Sequence, residues 1–280
     1  MGIQPVGIEG ISVVTDATNK ETVRLIQDAT SKAAPLIHDL WGLEYPRDCR
    51  IYIMKSWLGF TFRAAPWSWR IPLAITLPLW FSRAQRLWPY AGAWTQRFGR
   101  RVAIGIKPPS LLETSDRSIG KLMYVPDMDI ATKMKMFAFH ELTHAFSSHL
   151  RLPAWLNEGL AMATVDRCLG MQTIRKDTLE LMRGNTFGGQ PPSYAKQVRL
   201  QAEAIAYYAV LGYWIVRYLE EKSPGFLKRL FSGRPNIRRI DKDIALQLGI
   251  EPDGFWSRIA PMILAHYDDG SGTAMVGIHN

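Results

Sequence analysis

Cysteine is nearly missing from this 280-residue chain, which has only Cys49 and Cys168. They lie far apart and are not spaced as a metal pair, which argues against a disulfide framework and for two buried thiols in a reducing, cytoplasmic compartment. The opening MGIQPVGIEGISVVTDA has neither a basic start nor a long apolar run, so no secretory leader is expected. Val6 stands where a myristoylation motif needs Ser or Thr. Long apolar runs are missing as well. The most apolar stretch, Ile71 to Phe81, is too short to span a bilayer and carries Pro72 and Pro78. Acidic residues are absent from Arg50 to Leu112, a segment that holds Arg50, Lys55, Arg63, Arg70, Arg83, Arg86, Arg97, Arg100, Arg101 and Lys107. That one segment accounts for essentially all of the net charge of +9.

What is present suits a folded protein. Apolar residues make up 47% and charged residues 21%, a balance that buries a core rather than leaving the chain disordered. At this length one large domain, or two lobes around a cleft, is expected. Residues 10–16 and Arg50–Lys55 read as strands, as does Arg101–Ile106. Residues 19–41 carry Val23, Ile26, Ala29, Ala33 and Ile37 at helical spacing. Between the second and third strands lies a connection rich in Trp and Pro, about residues 57–100. Pro66, Pro72, Pro78 and Pro89 argue against a long helix there.

A helix capped by Asp127 or Asp129 is expected to run to about Leu150, and a second from about Trp155 to Cys168. Gly184, Gly188, Gly189, Pro191 and Pro192 mark a loop before a long helix from about Leu200 to Glu221. Short helices follow from Phe226 to about His266, and Asp268–Asn280 reads as a frayed tail. Early strands and late helices predict an α+β fold, with an N-terminal lobe over 1–125 and a helical lobe over 126–280, together one continuous domain.

The chemistry lies in His140-Glu141-Leu142-Thr143-His144. Residues four apart share one face of a helix, so both imidazoles reach a single ion, and Glu141 adjoins the first ligand without having to bind the metal itself. Phe137, Ala138, Phe139, Leu142, Ala145 and Phe146 surround the motif and predict a buried helix. Two histidines and a glutamate buried there need a partner. His149, nine positions from His140, falls about 180° around the helix at ~100° per residue and faces away.

The segment Pro153-Ala154-Trp155-Leu156-Asn157-Glu158-Gly159-Leu160-Ala161 places a further carboxylate at the start of the next helix. HELTH followed by WLNEGLA resembles the gluzincin zinc peptidases, and WLNEG is similar to their aminopeptidase branch and to the smaller peptidase MA-like proteins. The resemblance implies a thermolysin-like zincin domain, one Zn2+ held by His140, His144 and Glu158, Glu141 as general base, and a peptide or protein substrate. It also implies a tyrosine from a downstream helix that steadies the transition state. The family's position falls on Ala209, which leaves Tyr208, one residue off, with Tyr213 as the alternative. Thirteen residues separate His144 from Glu158, fewer than in the large aminopeptidases, and no GxMEN-type segment is present, so aminopeptidase specificity is not implied. Asp166, two turns beyond Glu158, is either an ordinary exposed aspartate or a group orienting a ligand.

A rival reading is a metal-binding regulatory or membrane-surface protein on the same fold. The acid-free segment, with Trp57, Trp67, Trp69, Trp80, Trp88 and Trp94, suits an anionic membrane surface or an acidic partner. No nucleic-acid motif is present, and no nucleic-acid partner is expected.

Overall fold

Alternation of apolar side chains builds the sheet at the front of the chain. Val13, Ile51, Ile53, Val102, Ile104 and Ile106 point to one face and enter the main core, while Val14, Tyr52, Phe98 and Ala103 point to the other and enter a smaller one. The computed structural model describes residues 2–15, 20–115, 119–126, 128–184, 189–197, 199–233 and 235–268. The strands are β1 (Gly2–Pro5), β2 (Ile11–Thr15), β3 (Asp48–Ile53), β4 (Ala93–Phe98) and β5 (Arg101–Ile106), in the order β1-β2-β3-β5-β4. β2, β3 and β5 run parallel, and antiparallel β1 and β4 form the edges. Asp48 pairs with Arg50 at 2.9 Å and with Arg101 at 2.8 Å, tying the start of β3 to β5.

The long helix α1 (Lys20–Trp41) links β2 to β3, and α2 (Trp57–Ala64) and α3 (Trp67–Leu87) link β3 to β4. The rest of the chain is helical: α4 (Pro109–Ser115), α5 (Ile119–Met123), α6 (Ile130–Ser147), α7 (Ala154–Leu169), α8 (Thr178–Arg183) and α9 (Tyr194–Gln197) come first. Then follow α10 (Ala202–Lys222), α11 (Phe226–Ser232), α12 (Ile240–Gln247) and α13 (Phe255–Asp268). The fold is α+β, with a five-stranded N-terminal sheet and a mostly helical remainder. One buried cluster runs from Val13 through Phe139 and Trp214 to Ile263, so residues before and after position 125 share a core. Cys49 and Cys168 are buried free thiols, and burial pushes the Cys49 thiol up to about 12.

Two elements differ from the expectation. Pro72 and Pro78 lie inside the 21-residue helix α3, in the connection where prolines argued against a long helix. Each removes one hydrogen bond to the carbonyl four residues back, and those carbonyls belong to the exposed Ser68 and Ala74, where water can serve them. Pro35 of α1 and Pro261 of α13 are exposed in the same way. The second difference is β4, paired to β5 through the two-residue turn Gly99-Arg100, in which Gly99 has φ +63°. No helix among the described residues is long and apolar enough to cross a membrane. The expected tail beyond Asp268, and Asp127, lie outside the described residues.

Three features hold α6 and α7 in place. Asp129 caps α6, accepting hydrogen bonds from the Thr132 amide at 2.8 Å and its hydroxyl at 2.7 Å. Arg151, with φ +56°, takes the left-handed conformation in the short link that turns α6 into α7. Gly159 of α7 and Gly212 of α10 let the two backbones touch. A Cβ on Gly159 would lie 2.3 Å from the Gly212 carbonyl oxygen, and one on Gly212 would lie 1.9 Å from that of Trp155.

Candidate metal centre

One helical turn separates His140 from His144, and their Nε2 atoms lie 3.0 Å apart. The Glu158 carboxylate reaches both from α7, with Oε2 3.3 Å from His140 Nε2 and Oε1 3.4 Å from His144 Nε2. Ligand atoms held tetrahedrally at ~2.0–2.1 Å from a zinc ion stand roughly 3.3 Å from one another. The three side chains therefore fit a zinc ion, and two ring nitrogens with a carboxylate are a donor set that zinc accepts. Glu141 joins His140 and His144 in a group whose ligand atoms lie within 4.8 Å of one another. Its side chain is buried and its Oε2 has no hydrogen-bond partner. A buried carboxylate oxygen left unpaired is costly unless the site gives it a role.

The surrounding groups orient Glu158. Tyr194 leaves 42% of its surface in solvent but turns its hydroxyl inward, donating to Glu158 Oε1 at 2.7 Å. Asn157 Nδ2 donates to that hydroxyl at 3.0 Å, and Ser147 Oγ donates to Asn157 Oδ1 at 2.6 Å, which ties the end of α6 to the start of α7. Burial alone would raise the Glu158 carboxyl, but the charge and hydrogen bonds of the two histidines hold it well below the ordinary range. Burial would likewise lower His144, yet the carboxylates of Glu158 and Glu141 raise it to about 9. The sheltered position of its hydroxyl, with Glu158 beside it, keeps the Tyr194 phenol well above its usual value. These charges are what a bound dication would replace in balancing the carboxylates.

A cleft of about 750 Å³ opens over the centre. Strand β4 forms one wall through Ala93, Trp94, Thr95 and Arg97, and Thr95 Oγ1 donates to the Glu141 carbonyl at 3.1 Å. Its apolar lining includes Met136, Phe137, Met162, Ile205 and Ala209, and Arg97 and Arg151 bring positive charge.

His140, Glu141, His144 and Glu158 thus come together from two helices. The two candidate tyrosines do not join them. Tyr208 is half-buried beside Tyr207, ring centroids 5.1 Å apart, and is not among the residues that line the cleft. Tyr213 is in the core, its hydroxyl 2.7 Å from Asp166 Oδ2, and Asp166 also accepts from the Thr173 amide and hydroxyl. Asp166 is therefore neither exposed nor in contact with a histidine of the centre. His149 is exposed and meets the Phe146 carbonyl. Tyr194, Asn157 and Arg151 are the cleft residues that the sequence did not single out. Comparison with known protein families, curated proteins and solved structures found no match for this chain.

Proposed function

We propose that the chain is a zinc-dependent peptidase on a thermolysin-like zincin fold, with His140, His144 and Glu158 as ligands and Glu141 as general base. The observation that carries this reading is the triangle of ligand atoms at 3.0, 3.3 and 3.4 Å beside a buried, unpartnered Glu141 oxygen. When bound, zinc would lower the pKa of a water toward ~7 and polarise a carbonyl. Glu141 takes the proton of the attacking water and delivers it to the leaving amine. Tyr194 and Asn157 hold Glu158 in its orientation, the outer support that ligating carboxylates commonly have. A polypeptide substrate is favoured by β4, which lines the cleft and, among the described residues, pairs with β5 alone. Its free edge offers backbone donors and acceptors to an extended chain.

A protein that only held metal would have no use for a buried glutamate that makes no hydrogen bond at Oε2, which favours hydrolysis over the regulatory reading. The test is a peptide-cleavage screen of the zinc-loaded wild type and Glu141→Gln. The wild type should cleave, and the variant should keep its metal while its rate falls by at least the ~10²–10⁴ typical of general-base assistance. A variant that cleaves as fast as wild type removes Glu141 from the mechanism.

A further inference from the structure

Helix α3 packs only one of its faces. Leu73 and the neighbouring aromatics rest on the smaller core, with Trp57 set edge-on against Trp80 at 4.7 Å and Trp94 at 5.8 Å. The opposite face carries Trp67, Ile71, Ile75 and Leu79, which are 78%, 66%, 74% and 74% exposed. They recur every four residues and so form one slowly winding apolar stripe. Four large apolar side chains in a row on the surface are not the scatter of single residues that any protein shows; contiguous exposure of this kind marks an interaction site.

The charge around the stripe says what covers it. Arg70 lies over the Trp67 ring at 5.2 Å, Lys55, Arg63 and Arg86 are exposed nearby in sequence, and no carboxylate occurs from Arg50 to Leu112. A second copy of the chain would bring another acid-free cationic face against this one, with no anion to pair. Aliphatic side chains on a projecting ridge offer little for bases to stack on, which speaks against single-stranded nucleic acid. Apolar residues flanked by tryptophan and arginine match the interface of a bilayer with anionic headgroups, where the stripe enters the acyl boundary and the cations meet phosphates.

We propose that α3 lies on the surface of an anionic phospholipid membrane through Trp67, Ile71, Ile75 and Leu79. The helix does not cross the bilayer. Docking stands independently of the peptidase reading. If that reading also holds, the substrates are polypeptides at the membrane surface, because Leu87 at the end of α3 and Tyr90 just beyond it line the cleft.

The experiment is flotation of the full chain with phosphatidylcholine vesicles, with and without phosphatidylglycerol, at low and high salt. It is repeated with the triple variant Ile71→Glu/Ile75→Glu/Leu79→Glu, and peptide cleavage is measured separately. Wild type should float with the anionic vesicles at low salt and less at high salt, since exposed charges are screened. The triple variant, altered only at exposed positions and with an unchanged circular dichroism spectrum, should partition roughly tenfold less or weaker. Absence of wild-type flotation at low salt, or equal flotation of the variant, overturns the proposal. So does a dimer in size-exclusion chromatography that the triple variant dissolves, because the stripe would then be covered by a second copy. Cleavage without flotation would sink docking alone, and flotation without cleavage would sink the peptidase reading alone.

Discussion

Glu158 is held by three hydrogen-bonding neighbours that reach it by different routes. His140 and His144 were legible in the sequence because a four-residue spacing on a helix is local geometry, and Glu158 was legible from the WLNEG segment beside it. Tyr194 was not, since it follows a loop of glycine and proline that has no periodicity to read. Tyr208 shows the opposite difficulty. One residue along α10 turns a side chain ~100°, so Ala209 faces the cleft while Tyr208 packs beside Tyr207. The phenol that reaches the centre comes from α9 instead. Tyr194→Phe keeps the ring and removes the donor to Glu158, so zinc affinity measured by chelator competition should weaken ~10–100-fold, the usual effect of losing a group that supports a ligand. An unchanged affinity would mean that Tyr194 does not position Glu158.

Among the elements, the contact between α7 and α10 sets where Glu158 stands. Gly159 follows Glu158 directly, and its backbone rests against Gly212 with no room for a side chain on either helix. Overpacking of a core costs typically 1–3 kcal/mol, and here the obstruction is backbone, which cannot swing aside as a side chain can. Gly212→Ala should therefore destabilise the fold by about 3 kcal/mol in urea unfolding and weaken zinc binding with it. A variant as stable as wild type would show that the helices can part without cost. Sequence reading found α1, α6, α7 and α10 because each carries caps, breaks or apolar periodicity. It did not find α3, since prolines on an exposed face cost a helix less than prolines in a packed one. It did not find β4 either, whose residues alternate weakly, although Gly99-Arg100 before the apolar run of β5 is a hairpin signal. The edge strand that walls the cleft was therefore hidden while the catalytic helix was plain.

Across the whole molecule, one core joins the sheet to the helices, and the cleft lies where β4 meets α6 and α7. The positive charge is concentrated in the segment that supplies α2, α3, β4 and β5, leaving the helical remainder nearly neutral. The α+β class followed from the order of strands and helices, but the placement of the basic segment against the cleft depended on contacts distant in sequence. Everything proposed for the centre depends on its holding a metal. The most direct test is the metal content of the purified, dialysed chain by mass spectrometry, compared with the double variant His140→Ala/His144→Ala. Wild type should hold about one zinc per chain, as the three-ligand site requires, and the double variant essentially none. A metal-free wild type that also fails to take up added zinc, or a double variant that retains full zinc, would contradict the account.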